Sequence, residues 1–494
     1  MADFDVAIIG GGLNGVSVAR DAAGRGLNVI LFEQNDLGGG AAASSSHLLH
    51  GNFIDLEHGL ALRVRRALTE RAIALRTAPH AVRPKRYVLP VHQAERPPAM
   101  LRAVLYAYDR LAPGSALPHS ETLDLTIHEM GHPLKRAFGV AFEYSDCTVD
   151  ENRFVILNAR DAAEQGATIR TGARCARADR SEIWKLAVIN RGNREIVTSH
   201  ALVNATGSGS SRTSESVLHL PGVQVSLTAV SQIVVRRLFD HDNVYVLQND
   251  DNRMIYAIPF EQDFTLIGEA EQRFAGDPDT VSATAQDVAY LCRVVNRYFR
   301  ERIEPADVVH AMAGCHVQVD GPLKTPWRRD GYMKLERKFG EAPLLTIFGG
   351  TTVTARRRAE MALTRLSPFF DAKPAWTADA PFPGGDFVYS AFDAEIDRAR
   401  QRWPFLDGHH ARRLVSAYGT RVEMVLGEAK AMADLGPVFG ENLTGAEVRY
   451  LMTNEWARFA DDILWRRSKL GLRFAARDRE ALTAFMSQAA AEFA

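Results

Sequence analysis

The sequence predicts an α/β domain of the Rossmann-like kind, an α+β domain built on an antiparallel sheet, and a C-terminal α-helical domain. Three observations predict this architecture. The chain begins with a short apolar run, a G-x-G-x-x-G turn and a helical pattern. Four strand-like segments then follow one another between residues 223 and 268, and helical patterns fill residues 392–493.

The bulk composition is that of an ordinary globular protein. The chain has 494 residues, 46% hydrophobic and 24% charged, with a net charge of -1, so it has no electrostatic basis for binding nucleic acid. The apolar runs have the length of strands, and the N-terminus lacks a signal-peptide pattern. The four cysteines are scattered without a C-x-x-C, which argues against zinc and disulfides. We therefore expect a cytoplasmic, unprocessed protein without a bound metal.

The N-terminal segment predicts two strands joined by a glycine turn and a helix. The strands are residues 5–9 and 27–32, and the helix is residues 14–25. Three glycines form the turn, and each has its own physical role. Gly10 permits the tight turn, Gly12 lets the backbone approach a diphosphate, and Gly15 lets helix and strand pack closely. The helix N-terminus adds free N–H groups and a positive dipole end.

Glu33 ends the second strand, where it can accept hydrogen bonds from an adenosine ribose. A carboxylate at that position disfavours a 2′-phosphate and hence NADP. The pattern fits both NAD and FAD. Because no second complete copy occurs in so long a chain, bound FAD is favoured.

The rest of the chain alternates strands and helices. The stretch "GGGAAASSSHLLHGN" suits a loop passing close to a cofactor, residues 61–78 look helical, and residues 101–108 form a helix whose apolar stripe suits either core packing or a membrane surface. "ALVNATGSG" and "LLTIFGGTTVTARR" are apolar strands that end in glycine turns. Residues 368–386, rich in proline, read as a linker.

These motifs, in this order, resemble the FAD-dependent, aerobic glycerol-3-phosphate dehydrogenases. The likeness covers nearly the whole chain, from "IIGGGLNGVSVARDAAGRGLNVILFE" through "SSSHLLHGNFIDLEH", "LVNATG" and "IPFEQDFTLIGEAE" to "NEWARFADDILWRRSKLGLR". The resemblance implies bound FAD and oxidation of a CH–OH group, sn-glycerol 3-phosphate to dihydroxyacetone phosphate, with electrons passing to a quinone or, in related oxidases, to oxygen.

The same resemblance divides the chain into domains. It implies a discontinuous FAD-binding domain (1–75, 150–215 and 310–366), a substrate domain (76–149 and 216–309) and a C-terminal helical domain (385–494). We also expect a homodimer, with peripheral contact at the inner face of the cell membrane left open.

At the substrate positions the chain departs from the family pattern. The family has lysine at His47, arginine at Ile54, histidine at Gln232, arginine at His316 and lysine at Thr351. Glu269 and Glu271 replace a threonine and an aspartate; they either face the site or are solvated strand-end carboxylates. The absence of these lysines and arginines should lower the affinity for a phosphate dianion, because they form charge-assisted hydrogen bonds with it.

Two sets of candidate residues follow. The catalytic candidates are His316 as the base, His50, Gln232, Thr351 and Arg356. The residues that the resemblance assigns to FAD are Gly10, Gly12, Leu13, Asn14, Gly15, Glu33, Gln34, Ser45, Ser46, His47, Ala205, Gly207, Gly350, Thr351, Thr352 and Val353.

His316 is equally consistent with a packed, hydrogen-bonded core histidine, and Arg356 with a surface helix residue. Three functions therefore stay open at this point. They are oxidation of glycerol 3-phosphate or another polyol phosphate, oxidation of a different substrate that need not be phosphorylated, and FAD binding without turnover.

Overall fold

The computed structural model describes residues 2–91, 96–112, 114, 116–319 and 330–492. The strands in these residues are β1 Phe4–Ile9, β2 Val29–Glu33, β3 Leu48–Leu49, β4 Val82–Pro90, β5 Glu121–Asp124, β6 Val140–Val149, β7 Thr168–Thr171, β8 Ala173–Arg180, β9 Trp184–Asn190, β10 Asn193–Asn204, β11 Val225–Arg236, β12 Val244–Gln248, β13 Met254–Phe260, β14 Phe264–Phe274, β15 Val308–Val319, β16 Tyr332–Glu336, β17 Leu344–Phe348, β18 Val438–Phe439 and β19 Leu443–Thr444. The α-helices are α1 Leu13–Gly24, α2 Ala61–Thr77, α3 Pro98–Leu111, α4 Glu151–Glu164, α5 Ser210–Ser216, α6 Ala285–Tyr298, α7 Ala355–Leu366, α8 Phe392–Arg402, α9 Gly408–Tyr418, α10 Val422–Leu426, α11 Gly445–Asn454 and α12 Ala476–Glu492.

The first sheet is the Rossmann-like layer. Its order is β16-β17-β10-β1-β2-β7, and β9 and β8 extend from β10. The five strands from β17 to β7 are parallel, and β1, buried from Val6 onward, lies between β2 and β10. Helix α1 packs against α4 and α7 over this sheet. Parallel order brings the carboxyl ends of β1, β10 and β17 to one edge, where a ligand site forms in this class of fold.

The second sheet has nine strands in the order β15-β11-β14-β13-β12-β4-β6-β3, with β5 beside β6. It is antiparallel apart from the parallel pair β12 and β4. Helix α6 covers one face, where Ser231 Oγ donates to Asp287 Oδ2 at 2.9 Å. Because side chains alternate along a strand, Gln232 and Val230 point to the opposite face.

The C-terminal region from α8 to α12 has its own apolar core, which includes Trp403, Leu414 and Ile463. Buried ion pairs join it to the first sheet. Arg467 bonds Asp36, just beyond β2, at 2.7 and 2.8 Å, and Glu455 holds Arg153 of α4. The proline-rich segment before α8 lies across α1, since the guanidinium of Arg20 sits 3.9 Å from the ring centre of Phe382. In the described ranges no helix combines the length and hydropathy that crossing a bilayer requires.

Candidate active site

A cavity of about 2010 Å³ lies between the two sheets. Its walls are the β1–α1 turn, the loop that follows β2, the face of β14 and β15 turned away from α6, and the loop between β17 and α7. One end is made mainly of backbone and the other mainly of side chains. We refer to them as the nucleotide end, around Gly12, and the substrate end, around His316.

The nucleotide end is shaped by three glycines with different surroundings. At Gly10 the backbone is left-handed (φ +111°), and a Cβ there would lie 2.6 Å from the carbonyl oxygen of Ala205. At Gly15 a Cβ would overlap the carbonyl oxygen of Gly10. A Cβ at Gly12 would meet no protein atom within 4 Å, because Gly12 faces the cavity. The turn therefore packs against protein backbone at Gly10 and Gly15 and is open to the cavity at Gly12, as the approach of a diphosphate requires.

Glu33 holds this turn in place. Its Oε2 accepts from the amide of Gly11 at 2.7 Å and its Oε1 from the amide of Asn35 at 2.8 Å. Burial raises the pKa of Glu33, and these two backbone hydrogen bonds act against the rise. Each oxygen keeps a further lone pair for a ribose hydroxyl.

Glu151, in the first turn of α4, ties together two loops of the cavity wall. Its Oε2 accepts from Ser45 Oγ at 2.5 Å and from Thr352 Oγ1 at 2.6 Å. Glu151 was not predicted from the sequence, because no local pattern marks a carboxylate whose partners lie 106 and 201 residues away.

The loop between β17 and α7 needs left-handed backbone at two successive residues, Gly349 (φ +60°) and Gly350 (φ +103°). Asn14 of α1 donates to the carbonyl of Gly349 at 3.0 Å, so this loop sits against the nucleotide turn. Thr351 and Thr352 line the cavity here. The start of α7 thus presents amide groups to the same space as the start of α1.

The substrate end is lined by His316 of β15, by Glu269 and Glu271 of β14, and by His50 and Tyr256. Strand β11 separates β14 from β15, and its Thr228 pairs with His316 on one side while Val230 pairs with Glu271 on the other. Register therefore places Glu271 and His316 on one wall, and Glu269, at the irregularity where Ala270 and Gly268 pair with Ser231 and Gln232, lines the same cavity. Burial raises the pKa of Glu269, nearby His316 acts against the rise, and Glu271 adds to it.

A second polar cluster at this end consists of one arginine that forms ion pairs with two aspartates. The guanidinium of Arg63 bonds Asp55 Oδ2 at 3.0 Å and Asp330 Oδ1 at 3.1 Å. All three residues line the cavity beside Ile54. This group was not predicted from the sequence either, because Asp330 is 267 residues from Arg63.

Most of the predicted site residues line this one cavity. They are Gly10, Gly12, Leu13, Asn14, Glu33, Gln34, Ser45, Ser46, His50, Ala205, Gly207, His316, Gly350, Thr351, Thr352 and Val353. The structure places the other four elsewhere, each for a physical reason. Gly15, packed on the Gly10 carbonyl, lies behind the turn.

His47, Gln232 and Arg356 are held inside the protein. Burial lowers the pKa of His47 to about 4, and its Nδ1 donates to the carbonyl of Val149 at 3.1 Å. Gln232 is 0% exposed, and its amide has no hydrogen-bond partner among the described residues. Arg356 forms two bonds to the buried Glu70 of α2, at 2.7 and 2.8 Å, and so does not line the cavity.

Family models match two parts of the chain. Residues 5–337 match the model described as FAD dependent oxidoreductase, and residues 375–494 match that of the C-terminal domain of alpha-glycerophosphate oxidase.

Individual relatives match almost the whole chain. A glycerol-3-phosphate dehydrogenase of Pseudomonas aeruginosa is 43% identical over 95% of this chain and 92% of its own length. A D-erythritol 1-phosphate dehydrogenase of Brucella abortus is 38% identical over 98% of both chains. Among solved structures, a glycerol-3-phosphate dehydrogenase of Bacillus halodurans complexed with FAD superposes with a TM-score of 0.76, covering 100% of this chain and 90% of that one at 20% identity; this last likeness shows the fold.

Proposed function

The chain belongs to the family of FAD dependent oxidoreductases, and on that premise we propose that it oxidises a secondary alcohol of a small polyol that carries no phosphate. The cofactor site fits FAD on three counts: the open face of Gly12, the packed backs of Gly10 and Gly15, and the helix start after Gly350. Bound FAD supplies the acceptor for the hydride that leaves the alcohol carbon.

We assign His316 as the base that accepts the proton of the alcohol hydroxyl. Its imidazole lines the substrate end of the cavity and can accept a proton there. Glu269 lies near enough to interact with it, so the cation that His316 becomes on accepting a proton is stabilised by a neighbouring carboxylate. His50 and Thr351 line the same space and serve as hydrogen-bond partners for the remaining hydroxyls.

One observation carries the choice of an unphosphorylated substrate. At the substrate end the cavity wall carries the carboxylates of Asp55, Glu269 and Glu271, while Ile54, His316 and Thr351 stand where the family pattern has cations. Arg63 is already shared between two aspartates. Carboxylates accept hydrogen bonds from hydroxyl groups and repel a phosphate dianion. This wall therefore suits a neutral, hydroxyl-rich substrate.

A second candidate is a polyol phosphate. It is favoured by the two relatives above, which are named for glycerol 3-phosphate and D-erythritol 1-phosphate. In both cases we propose that the electrons leave the enzyme to a quinone or to oxygen. Reoxidation of the substrate-reduced enzyme by each acceptor, followed by stopped flow, separates these two.

Membrane contact and dimer formation stay predictions. The peripheral contact is supported by the outer face of α3, where Tyr106 is 56% exposed beside Arg110. Vesicle co-sedimentation tests the membrane contact, and sedimentation velocity tests the homodimer.

Anaerobic reduction of the holoenzyme tests the choice of substrate. We expect glycerol and erythritol to bleach the visible flavin absorbance faster than glycerol 3-phosphate or erythritol 1-phosphate at equal concentration. His316→Gln should slow the bleaching by about a hundredfold or more, the contribution of a positioned base. Faster bleaching by either phosphate would establish the second candidate. If no alcohol bleaches an enzyme that dithionite reduces, the protein binds FAD without turnover of alcohols.

A further inference from the structure

Arg358 of α7 is a buried cation on the wall of the cavity. Arg358 is 5% exposed, and it lines the cavity together with Gly350 and Thr351. The guanidinium packs so closely on Gly350 that a Cβ at that glycine would overlap it. Arg358 thus lies where the loop before α7 meets the first turn of α1.

Within the described residues, the hydrogen bonds of this guanidinium go to neutral acceptors. Nε donates to Asn14 Oδ1 at 2.9 Å, and Nη1 donates to the carbonyl of Thr351 at 2.8 Å and to Thr354 Oγ1 at 2.7 Å. A longer contact of 3.5 Å reaches the backbone carbonyl of Asp330. In the described part of the chain, no carboxylate forms an ion pair with Arg358.

The other buried arginines of the described residues are different, because each of them pairs with a carboxylate. The pairs are Arg20 with Asp161, Arg25 with Asp21, Arg63 with Asp55 and Asp330, Arg71 with Asp146, Arg153 with Glu455, and Arg467 with Asp36. Among the most deeply buried arginines of the described residues, Arg358 is therefore the one that does not pair with a carboxylate. The half-buried Arg83 packs on the ring of Phe392 instead.

An uncompensated buried cation is costly, since removing a charge from water carries a penalty of several kcal/mol. Burial lowers the pKa of Arg358 to about 10, against the attraction of Asp330, Glu151 and Glu70. The group consequently stays charged at neutral pH. A charge kept in this position without a protein partner is suited to a negatively charged ligand in the cavity.

We propose that Arg358 is a positioning residue for the cofactor, whose positive charge is compensated by negative charge on bound FAD. Two parts of FAD carry such charge: the diphosphate, and the flavin ring system after reduction. The contact with Asn14 connects Arg358 to the nucleotide turn, and the contacts with Thr351 and Thr354 connect it to the loop before α7. The proposal rests on FAD binding and is independent of which alcohol is the substrate.

The test compares Arg358→Met with the matched control Arg357→Gln, which removes the neighbouring charge from a residue that does not line the cavity. Three quantities are measured: the midpoint potential of the bound flavin against a reference dye, the dissociation constant of sulfite from the oxidised holoenzyme, and the affinity of the apoprotein for FAD. If the charge acts on the ring system, Arg358→Met lowers the midpoint potential and weakens sulfite binding about tenfold or more, the effect of one lost charge-assisted hydrogen bond. If it acts on the diphosphate, FAD affinity falls by a similar factor and the potential stays as in the wild type.

The thermal stability of the apoprotein separates these results from a purely structural role. A buried cation that is compensated only by a bound ligand lowers the stability of the ligand-free protein. Arg358→Met should therefore leave the apoprotein equally stable or make it more stable. The proposal is overturned if Arg358→Met destabilises the apoprotein while potential, sulfite binding and FAD affinity all match those of Arg357→Gln. Arg358→Gln provides a second uncharged variant in case the methionine variant does not fold, and Arg358→Lys should restore most of the wild-type value of whichever quantity has changed.

Discussion

The two ends of the cavity are built in opposite ways. The nucleotide end consists of backbone from one short segment, in which Gly10, Gly12 and Gly15 lie within six consecutive residues. The substrate end consists of side chains from distant parts of the chain, such as Arg63 of α2 and Asp330, which are 267 residues apart. A surface made of backbone tolerates few sequences, whereas a surface made of side chains can be rebuilt residue by residue without changing the fold. The resemblance to the family predicts that the cofactor end is retained here and that the substrate end differs.

Gly12→Val tests whether the nucleotide end depends on open backbone, and it should have the largest effect. Gly12 has φ -79°, which valine adopts, and its Cβ would meet no protein atom within 4 Å. We therefore expect a folded protein that has lost nearly all its FAD, because the side chain fills the space of the diphosphate. Visible absorbance per mole of protein and circular dichroism measure the two properties.

The matched control is Gly15→Ala, whose Cβ overlaps the carbonyl oxygen of Gly10. It should lower the folding stability itself. A fully flavinylated Gly12→Val protein would show that diphosphate contact at this turn is not what binds the cofactor.

Ile54→Arg tests whether an arginine at the position where the family pattern has one restores binding of a phosphate. We expect its effect to be smaller than that of Gly12→Val. Ile54 lines the cavity where the family pattern has arginine. One new charge-assisted hydrogen bond to a phosphate, about 1.5–3 kcal/mol, should raise kcat/KM for glycerol 3-phosphate about tenfold or more. Leu62→Arg, at a residue 60% exposed and outside the cavity, is the control for added charge. An unchanged kcat/KM would show that the missing cation at this position is not what limits phosphate binding in this pocket.

Glu269→Gln has the smallest expected effect and concerns stability. The pKa of Glu269 is raised mainly by burial, so the folded state binds its proton more tightly than the unfolded state. Its contribution to stability is therefore lost as pH rises through the folded-state pKa. The glutamine variant should be more stable than the wild type at neutral pH, and the difference should disappear below about pH 4.

Urea unfolding at several pH values measures the effect, with Glu182→Gln, at an exposed residue outside the cavity, as the control. Equal stability of Glu269→Gln and wild type at neutral pH would mean that Glu269 is solvated, as for an ordinary strand-end carboxylate.

Local patterns were sufficient to predict the fold and the glycine turn between β1 and α1. Helix α1 begins one residue before the predicted start and ends one residue before the predicted end, because apolar spacing and glycine positions act within a few residues. The antiparallel sheet was also predicted, although the parallel pairing of β12 with β4 was not, since it joins segments about 150 residues apart in sequence.

Local patterns could not predict which side chains form the substrate end. That depends on the register between strands and on which face of each helix turns toward the cavity. Arg356 and Arg358 are two residues apart in "RRR", yet one faces Glu70 and the other faces the cavity. At about 100° per residue, a two-residue step turns a side chain through more than half a circle. Which arginine faces inward is decided by how α7 packs, and the sequence around it carries no signal for that choice.

The ion pairs of Asp36 have a consequence for the order of events during synthesis. This aspartate follows the second strand of the nucleotide layer, and the guanidinium that holds it in two hydrogen bonds belongs to a residue 431 positions later. During synthesis the nucleotide turn emerges first, and this carboxylate lacks that counter-ion until Arg467 has been translated. The loop after β2 thus receives this support only after the C-terminal helices have been made.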